Sequence, residues 1–560
     1  MGYRLIMPFD KKYITPALAI PALCGALLAL CFPTPGFSVL AWVALVPFFL
    51  TLPRCQNNLQ SFKSGFILGL VFFFGTQYWI YHSINHFGHV PLPLSFLLVL
   101  LLCLYQSLYT GVFGLLLYLS AKKTKIPTAL SAAALWTFIE YLRGVIFTGF
   151  PWSFLGYSQW EHPTVIQIAD VTGVYGVSFL IVFCNAAAAQ TLIGLRERNP
   201  RSIISRKPFG LRAGFSALAP AAASVILISL TLFYGRMRIA QIDAGEFFDA
   251  ASPVSISVVQ GNISQDKKWD GRFQGEVMDT YEGLTLEAQK NVLKNAPIDA
   301  PKNTDTQPPV RVPAHLPPRL IIWPETAVPF AYLSDKELTG RLNVFQKSLG
   351  ANLLFGSVMI RGEEGGRYLL TNSAVLLTPD GKIGYVYNKI HLVPFGEYVP
   401  LSKLLFFVDK LVAGIGDFQE GENFRPARTP DFTFGVHICY EIVFPALVGR
   451  FYKDGGDFIV TITNDAWFGA TTGPYQHFSM AALRAVENRK FLVRAANTGI
   501  SGFIDPAGRV TTKSALMERT VITKNIFRGK VTSFYTAYGN IFVYLCGLFC
   551  ALILIRTRGR

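Results

Sequence analysis

Three polar residues in the second half of the chain each follow a short apolar run that predicts a buried strand. These residues are Glu325, which follows 319–323 (RLIIW), Lys389, which follows 384–388 (GYVYN), and Cys439, which follows 434–438 (FGVHI). A cysteine thiolate is a strong nucleophile, and a carboxylate at the end of a buried strand is a candidate general base. The pattern therefore points to covalent catalysis, while each residue alone also fits a structural role.

Cys439 differs from the other cysteines in its surroundings. The other seven lie in or beside long apolar runs, where a thiol usually serves as a small hydrophobic side chain: Cys24, Cys31, Cys55, Cys103, Cys184, Cys546 and Cys550. The chain turns sharply after Cys439, and a helix N-terminus there would lower the pKa of the thiol and supply thiolate near neutral pH. A buried structural cysteine is the alternative interpretation.

The composition is that of a membrane protein. Of the 560 residues, 51% are hydrophobic and only 15% are charged, which is too apolar for an ordinary cytosolic enzyme. The long apolar stretches, most of which approach the roughly 20 residues that cross a bilayer, are 14–32, 37–52, 65–82, 93–120, 127–147, 173–195, 214–235 and 533–555. We therefore expect about eight transmembrane helices. The second stretch is short, so the 14–52 region has a re-entrant pair as its alternative.

The positively charged residues are distributed as membrane insertion predicts. The net charge is +16, yet loops at 33–36, 83–92 and 148–172 contain neither lysine nor arginine. This asymmetry predicts cytoplasmic N- and C-termini and an extracytoplasmic segment between the last two apolar stretches. It also makes nucleic-acid binding the weaker explanation of the charge. No small-residue cleavage site follows the first apolar run, so we expect no cleavable signal peptide.

The segment between the last two apolar stretches predicts a soluble domain in which strands and helices alternate. We expect strands at 254–260, 319–323, 352–359, 371–378, 382–388, 434–439 and 458–463, a polar helix at 274–294, and hairpins around 379–381 and 501–513. This order predicts an α/β or layered α+β domain. The Pro-rich stretch 295–317 predicts a surface loop.

Several motifs resemble the nitrilase, or carbon-nitrogen hydrolase, superfamily, and more closely its membrane-embedded branch, the apolipoprotein N-acyltransferase family. They are WPET at 323–326, YNKIHLVPFGEYVP at 387–400, HICYE at 437–441, QGNISQDKKW at 260–269, GFPWSFLGYSQ at 149–159 and the pair Glu140 and Arg143. The resemblance covers essentially the whole chain. It implies a multispanning α-helical membrane bundle at 1–236, an extracytoplasmic α/β nitrilase-like α-β-β-α sandwich domain at 237–530, and a C-terminal transmembrane helix with a basic tail at 531–560.

The resemblance also implies a triad of Glu325, Lys389 and Cys439. Cys439 would accept an acyl group as a thioester, Glu325 would take its proton and later that of an amine, and Lys389 would stabilise the oxyanion. Five supporting residues would lie around the triad or at the mouth of the site: Trp269, Glu397, Tyr440, Glu441 and Trp467. No metal and no other cofactor is expected.

The activity that the resemblance implies is a two-step acyl transfer at the bacterial inner membrane, with a periplasmic catalytic domain. A fatty acyl chain would pass from a glycerophospholipid, typically phosphatidylethanolamine, to Cys439. It would then pass to the α-amino group of a diacylglyceryl-cysteine at the start of an apolipoprotein. Residues 401–416 would form a lid or acyl-chain cradle on the membrane surface, with a packed core helix as the alternative.

Two alternatives concern the chemistry. His437 or His391 is a second candidate base for Cys439, although residues two apart on a strand merely share a face. A membrane-anchored amidase of the nitrilase type would use the same triad with water as the acceptor.

A third alternative is a transporter with a receptor domain. It would need paired broken helices and charges at the bilayer midplane, and only Glu140 with Arg143 hints at these. His82, His86 and His89 have a loosely metal-like spacing, but no carboxylate or cysteine accompanies them, so the sequence predicts no metal site there.

Overall fold

The computed structural model of the chain describes residues 11–196, 211–294, 316–399 and 417–558. Its helices are α1 (Lys11–Ala29), α2 (Val46–Thr51), α3 (Asn58–Gln77), α4 (Ile80–His82), α5 (Leu92–Lys123), α6 (Thr128–Arg143), α7 (Pro163–Ile166), α8 (Ala169–Thr172), α9 (Val174–Arg196), α10 (Leu211–Asp243), α11 (Gln265–Lys268), α12 (Gln274–Lys294), α13 (Lys336–Leu349), α14 (Pro445–Arg450), α15 (Gly473–Asn488), α16 (Phe534–Tyr538) and α17 (Ile541–Arg558). The predicted lid at 401–416 and residues 295–315 of the predicted loop lie outside the described residues.

Apolar helices form a bundle in the first part of the chain, as the sequence predicts. Within the described residues, four helical segments are long and apolar enough to cross a membrane: Asn58–Gln77, Leu92–Lys123, Val174–Arg196 and Ala217–Asp243. Shorter apolar helices lie at Leu18–Ala29, Ser38–Arg54 and Ile541–Thr557. The last helix, α17, packs against α6 and α5, so the C-terminal apolar segment joins the bundle of the N-terminal region.

The stretch at 37–52 is divided into short pieces. It contains the 3-10 helix Ser38–Trp42, then α2, then a 3-10 helix at Leu52–Arg54. A proline is the second residue of each of the last two pieces, where it suits the first turn of a helix but interrupts a helix that precedes it. With 6 residues, α2 is about 9 Å long, against ~30 Å for the hydrocarbon core. The stretch is therefore not one regular α-helix.

The region between α10 and α16 contains two mixed β-sheets. Its strands are β1 (Phe248–Gln260), β2 (Leu320–Ile322), β3 (Asn352–Glu364), β4 (Arg367–Leu377), β5 (Ile383–Asn388), β6 (Asp417–Phe418), β7 (Ala427–Arg428), β8 (Thr433–Ile438), β9 (Phe458–Thr463), β10 (Phe491–Ala496), β11 (Gly502–Ile504), β12 (Val510–Lys513) and β13 (Thr520–Gly529). The first sheet has the order β13-β1-β2-β3-β4-β5, with β6 beside β4, and the second has the order β12-β11-β10-β9-β8-β7.

The central strands are apolar on both faces, which produces a layered arrangement. In β2, Leu320 and Ile322 belong to the core between the two sheets, whereas Ile321 belongs to a second core. That second core includes Met278 of α12 and Leu342 of α13. Successive strand residues point to opposite faces, so a strand with a layer on each side must be apolar throughout. On the second sheet, α15 packs against β10.

Most of the predicted elements are present, and the helix predicted at 274–294 coincides with α12. The strands β10 and β13 were not predicted from the sequence. In β10 an arginine, Arg494, interrupts the apolar pattern, but its guanidinium is neutralised by Asp465 at 2.6 Å. In β13 the polar run 523–525 separates two apolar pairs at the edge of the first sheet, where the strand pairs antiparallel with β1.

Candidate active site

The three predicted triad residues lie together, each just beyond the end of a strand. Glu325 lies three residues after β2, and Lys389 and Cys439 directly follow β5 and β8. Their exposed fractions are 5%, 1% and 7%, respectively. Lys389 Nζ is 3.7 Å from Glu325 Oε1, and the charges of both residues act on the Cys439 thiol. The site therefore combines strand ends from both sheets.

Lys389 is held by Glu397. Its Nζ is 3.0 Å from Oε1 and 2.9 Å from Oε2 of that carboxylate, and the backbone N–H of Val393 donates to Oε2 at 2.7 Å. Burial acts to lower the pKa of Lys389, but the carboxylates of Glu397 and Glu325 outweigh it and raise the pKa above its ordinary value. The lysine therefore stays protonated and is a fixed cation beside the thiol.

Asn372, which was not predicted as a site residue, connects the two carboxylates. Its Nδ2 donates to Glu325 Oε1 at 2.7 Å and to Glu397 Oε1 at 2.8 Å. The backbone N–H of Asn464 donates to the other oxygen of Glu325 at 2.8 Å. These bonds fix the orientation of the candidate base. The one signal in the sequence is the polar run Thr371-Asn372-Ser373 between the apolar residues 369–370 and 374–377.

Cys439 begins the 3-10 helix Cys439–Val443 and has a φ of 52°. This left-handed conformation is uncommon for a residue with a side chain and marks the sharp turn after β8. The expected low pKa of the thiol is wrong: burial, and then the negative charge of Glu325, raise the pKa above its ordinary value, although Lys389 opposes them. Near neutral pH the resting residue is therefore a thiol, because burial disfavours the charged thiolate.

Glu441 ties the turn of Cys439 to the segment that carries Lys389. One carboxylate oxygen accepts hydrogen bonds from the backbone of Ile390 and His391 and from the hydroxyl of Tyr387, at 2.7, 3.1 and 2.7 Å. The other accepts from the backbone of Ile438 at 2.7 Å. Burial raises the pKa of Glu441 to about 7, and the donors of Ile438, Tyr387 and His391 oppose that rise together with the charge of Lys389. Glu441 is therefore a positioning residue in the geometry of this site.

Tyr440 and Trp467 face the helical bundle. The Tyr440 hydroxyl donates to the carbonyl of Gly149 at 3.3 Å, in the loop after α6. The Trp467 ring lies 4.7 Å from that of Phe87, and its carbonyl accepts from Ser83 at 2.7 Å. Both residues therefore lie where the catalytic region meets the bundle.

Trp269 is half-buried and directly follows Lys268, which was not predicted as a site residue. Lys268 is fully buried, and its Nζ donates to the carbonyl of Glu325 at 2.9 Å. The α11 segment that precedes Trp269 is thereby attached to the turn of the candidate base.

The two histidines of the alternative mechanism have other surroundings. His437 is fully buried, with its Nε2 3.4 Å from the Tyr452 hydroxyl and its ring 4.7 Å from that of Phe451. Burial lowers its pKa to about 3. The His391 ring lies 4.0 Å from that of Phe444, and burial lowers its pKa to about 4. These contacts do not orient either imidazole as a base for Cys439.

Glu140 and Arg143 both bind the loop that follows α6. Arg143 donates to the carbonyls of Phe150 and Trp152 at 3.0 and 2.7 Å. Glu140 accepts from the backbone of Leu155 at 2.7 Å. The two charged residues thus shape the loop whose Gly149 carbonyl binds Tyr440.

Gly356 leaves no room for a side chain behind Glu325. A Cβ there would lie 2.4 Å from the backbone nitrogen of Thr326 and 2.6 Å from Glu325 Cα. We expect Gly356→Ala to cost about 1–3 kcal/mol of stability and, by displacing Glu325, to slow acylation of Cys439 about 100-fold. Thermal unfolding and mass spectrometry of the acylated thiol measure the two effects. Gly362→Ala, on the same strand with nothing closer than 4.0 Å, is the control, and equal acylation rates in both variants would refute the expectation.

Because Lys268 is buried, the free energy of unfolding is expected to depend on pH. Burial lowers its pKa from 10.5 to about 7, with Glu325 opposing. Between these values the unfolded chain holds a proton that the folded protein has released, so stability rises with pH. We expect the stability of wild type relative to Lys268→Met to increase from pH 7 to pH 10, by at most about 1.4 kcal/mol per pH unit. Thermal unfolding at several pH values tests this expectation. The control is Lys267→Met, which replaces the exposed neighbouring lysine. A pH-independent difference would contradict it.

Comparison with known proteins covers both parts of the chain. Residues 24–187 match the apolipoprotein N-acyltransferase N-terminal domain, and residues 298–535 match the carbon-nitrogen hydrolase family. An apolipoprotein N-acyltransferase of Geobacter metallireducens is 37% identical over 547 residues, which are 98% of this chain and 96% of that protein. One of Haemophilus influenzae is 31% identical over 556 residues, again 98% of this chain and 96% of that protein.

Among solved structures, a carbon-nitrogen hydrolase from Helicobacter pylori G27 has a TM-score of 0.36 and 15% identity, over 49% of this chain and 89% of that chain. The sequence relatives extend over both the helical bundle and the catalytic region, at identities above 30%. The chain therefore belongs to the apolipoprotein N-acyltransferase family.

Proposed function

We propose that this protein is a phospholipid:apolipoprotein N-acyltransferase that uses Cys439 as its nucleophile. The observation that carries the proposal is the buried group of Cys439, Glu325 and Lys389 at the junction with a bundle of apolar helices. Relatives that match nearly the full chain bear the name apolipoprotein N-acyltransferase, which supports a lipoprotein as the acceptor. The donor is a glycerophospholipid of the surrounding bilayer, with phosphatidylethanolamine as the expected class.

In the first half-reaction, the Glu325 carboxylate accepts the proton of the Cys439 thiol as the sulfur attacks an ester carbonyl of the phospholipid. Lys389, kept protonated by Glu397, stabilises the oxyanion that forms. The C–S bond is made and the C–O bond breaks, and Glu325 returns the proton to the departing lysophospholipid. Because the resting thiol is protonated, proton transfer to Glu325 must accompany the attack.

In the second half-reaction, the α-amino group of an S-diacylglyceryl cysteine attacks the thioester. Glu325 accepts a proton from this nitrogen, and Lys389 stabilises the second oxyanion. The C–N bond forms, the C–S bond breaks, and the proton returns to the sulfur of Cys439. The enzyme thus finishes in its starting state, as a ping-pong mechanism requires.

The supporting residues have distinct roles in this proposal. Glu397 holds Lys389, and Glu441 fixes the two turns that carry Lys389 and Cys439. Tyr440 and Trp467 shape the mouth of the site on the side of the bundle, which suits substrates that arrive from the bilayer. Trp269 is assigned to substrate contact at the segment held by Lys268.

We also propose a topology. The chain is a multi-pass protein of the bacterial inner membrane, with about eight membrane segments in 1–236 and 531–560 and a periplasmic catalytic domain at 237–530. The lysine-free and arginine-free loops at 33–36, 83–92 and 148–172 support this orientation. Whether the 14–52 region crosses twice or enters and leaves by one face, the termini stay on the cytoplasmic side.

The test is to incubate the purified full-length protein with phosphatidylethanolamine vesicles and a synthetic diacylated lipopeptide. We expect an amide-linked third acyl chain on the lipopeptide and an acyl adduct on Cys439, both detected by mass spectrometry. Hydrolysis of small amides without any gain of mass by the lipopeptide would overturn the proposal and favour the membrane-anchored amidase.

The same protein also allows a test of the transporter alternative. Uptake of a solute into vesicles that persists in Cys439→Ala would favour a transporter, because a carrier does not need the thiol. Loss of lipopeptide acylation in that variant, with an intact fold, is the outcome that the acyltransferase proposal requires.

A further inference from the structure

We propose that His477 is a positioning residue for Cys439: its imidazole holds the carbonyl of the nucleophile, and thereby the direction in which the thiol points, during the proposed acyl transfer. The role rests on the proposed function because it concerns the rate at which Cys439 takes up an acyl group. No motif in the sequence singled out this histidine.

The central contact is between His477 Nε2 and the carbonyl oxygen of Cys439, at 3.2 Å. A carbonyl oxygen only accepts hydrogen bonds, so Nε2 carries the hydrogen and donates it. The His477 side chain is completely buried, where a hydrogen bond is not exchanged with water and its loss leaves a polar group unsatisfied. His477 therefore contacts the main chain of the nucleophile, and not its sulfur.

The backbone of Cys439 needs such a restraint. Its φ of 52° is sparsely populated for a residue with a Cβ, and only the surrounding contacts can keep it there. The peptide plane after Cys439 contains the carbonyl that His477 binds. The ψ angle of Cys439 sets the angle between that plane and the Cα–Cβ bond, so a held carbonyl also restrains the direction of the side chain relative to Glu325 and Lys389.

The imidazole itself is immobilised on three sides. Its Nδ1 lies 3.0 Å from Asp465 Oδ1 and 3.0 Å from a guanidinium nitrogen of Arg494. Arg494 is paired with the other oxygen of Asp465 at 2.6 Å, and Thr463 donates to Oδ1 at 2.7 Å. The ring of Trp152 lies 5.6 Å from the imidazole ring. Because the imidazole is held in this way, its hydrogen bond also restrains the carbonyl oxygen of Cys439.

The neighbouring residue joins this arrangement to the helical bundle. Gln476 accepts hydrogen bonds from the indoles of Trp79 and Trp152, at 3.3 and 2.7 Å, and donates to the carbonyl of Pro33 at 3.2 Å. Consecutive residues at the start of α15 thus bind the bundle and the nucleophile. The bundle would in this way help to set the geometry of Cys439, in addition to anchoring the enzyme.

Two nearly isosteric substitutions test the hydrogen-bonding roles of the two ring nitrogens separately. A glutamine at 477 brings an amide N–H to the position of Nε2, whereas an asparagine brings one only to the position of Nδ1. Neither amide can act as a base. The comparison of His477→Gln with His477→Asn therefore distinguishes positioning from general-base catalysis and from general packing.

The experiment measures the burst of p-nitrophenol from p-nitrophenyl octanoate with the full-length protein in detergent, with Cys439→Ala as the blank. We expect His477→Asn to acylate about 100-fold more slowly at an unchanged KM for the ester. We expect His477→Gln to remain within about tenfold of wild type. His477→Phe, which keeps a ring beside Trp152 but has no donor, gives a second test if the asparagine variant does not fold, with the same expected loss.

Each result decides the proposal. Equal rates in His477→Gln and His477→Asn, whether both fast or both slow, would overturn it. So would a donor-free phenylalanine variant that acylates as fast as wild type. If the wild-type protein forms no adduct on Cys439, the proposed function fails and this inference fails with it. If the wild-type protein acylates normally and the variants do not differ, only this inference fails.

Discussion

Cys439→Ala is expected to abolish both the acyl adduct and the transfer of an acyl chain to a diacylated lipopeptide. Removal of a covalent nucleophile lowers turnover by about 10⁶-fold on the scale of comparable enzymes, because the remaining groups have no atom to which the acyl chain can be attached. Intact-protein mass spectrometry after incubation with phosphatidylethanolamine vesicles measures the adduct. A lipopeptide assay by mass spectrometry measures the transfer.

Cys439→Ser is the matched control for this substitution. It keeps a nucleophilic atom at the same position, but a hydroxyl gives up its proton less readily than a thiol, so slow formation of an oxygen ester is the expected result. The variant also tests whether the alanine protein fails only for lack of the sulfur. Persistent transfer by a folded Cys439→Ala protein would exclude Cys439 as the nucleophile.

Glu325→Gln is expected to slow both half-reactions by about 10²- to 10⁴-fold, the usual contribution of a general base. The thiol pKa is raised by burial, so near neutral pH the thiol needs a base to accept its proton. Glutamine preserves the size of the side chain and the acceptor for Asn372, yet it cannot take a proton. Single-turnover acylation from phosphatidylethanolamine, followed by transfer to lipopeptide, reports on the two steps separately.

The exposed Glu287→Gln on α12 is the control for a general effect of charge. We expect it to leave both rates unchanged. Because Glu325 serves both steps in the proposed mechanism, a Glu325→Gln protein that acylates slowly but transfers the acyl chain at the wild-type rate would contradict the assignment. Such a result would require a different base for the amine.

Local patterns predicted most of the elements because the determinants of a strand end or an amphipathic helix lie close together in the chain. The strands before Glu325, Lys389 and Cys439 were recognisable as short apolar runs bounded by polar residues. β10 was missed because its Arg494 looks like a solvent-exposed charge in sequence. Its neutralising partner, Asp465, is 29 residues away along the chain and 2.6 Å away in space.

The pKa of Cys439 is a second property that local sequence patterns did not predict. The sequence indicates a turn after β8, which suggested a helix dipole and a low thiol pKa. The fold buries the thiol beside the Glu325 carboxylate, and both the burial and this negative charge raise the pKa. Desolvation depends on what surrounds a group on every side, and that information is distributed over the whole chain.

By itself the sequence determined the chemical types at the site, the apolar segments of the bundle and the family to which the chain belongs. Only the tertiary structure decided which groups hold these residues in place. Asn372 between two carboxylates, Lys268 behind Glu325, and His477 on the Cys439 carbonyl are each contributed by a distant segment. A hydrogen bond depends on distance and direction in space, and spacing along the chain specifies neither for residues that only folding brings together.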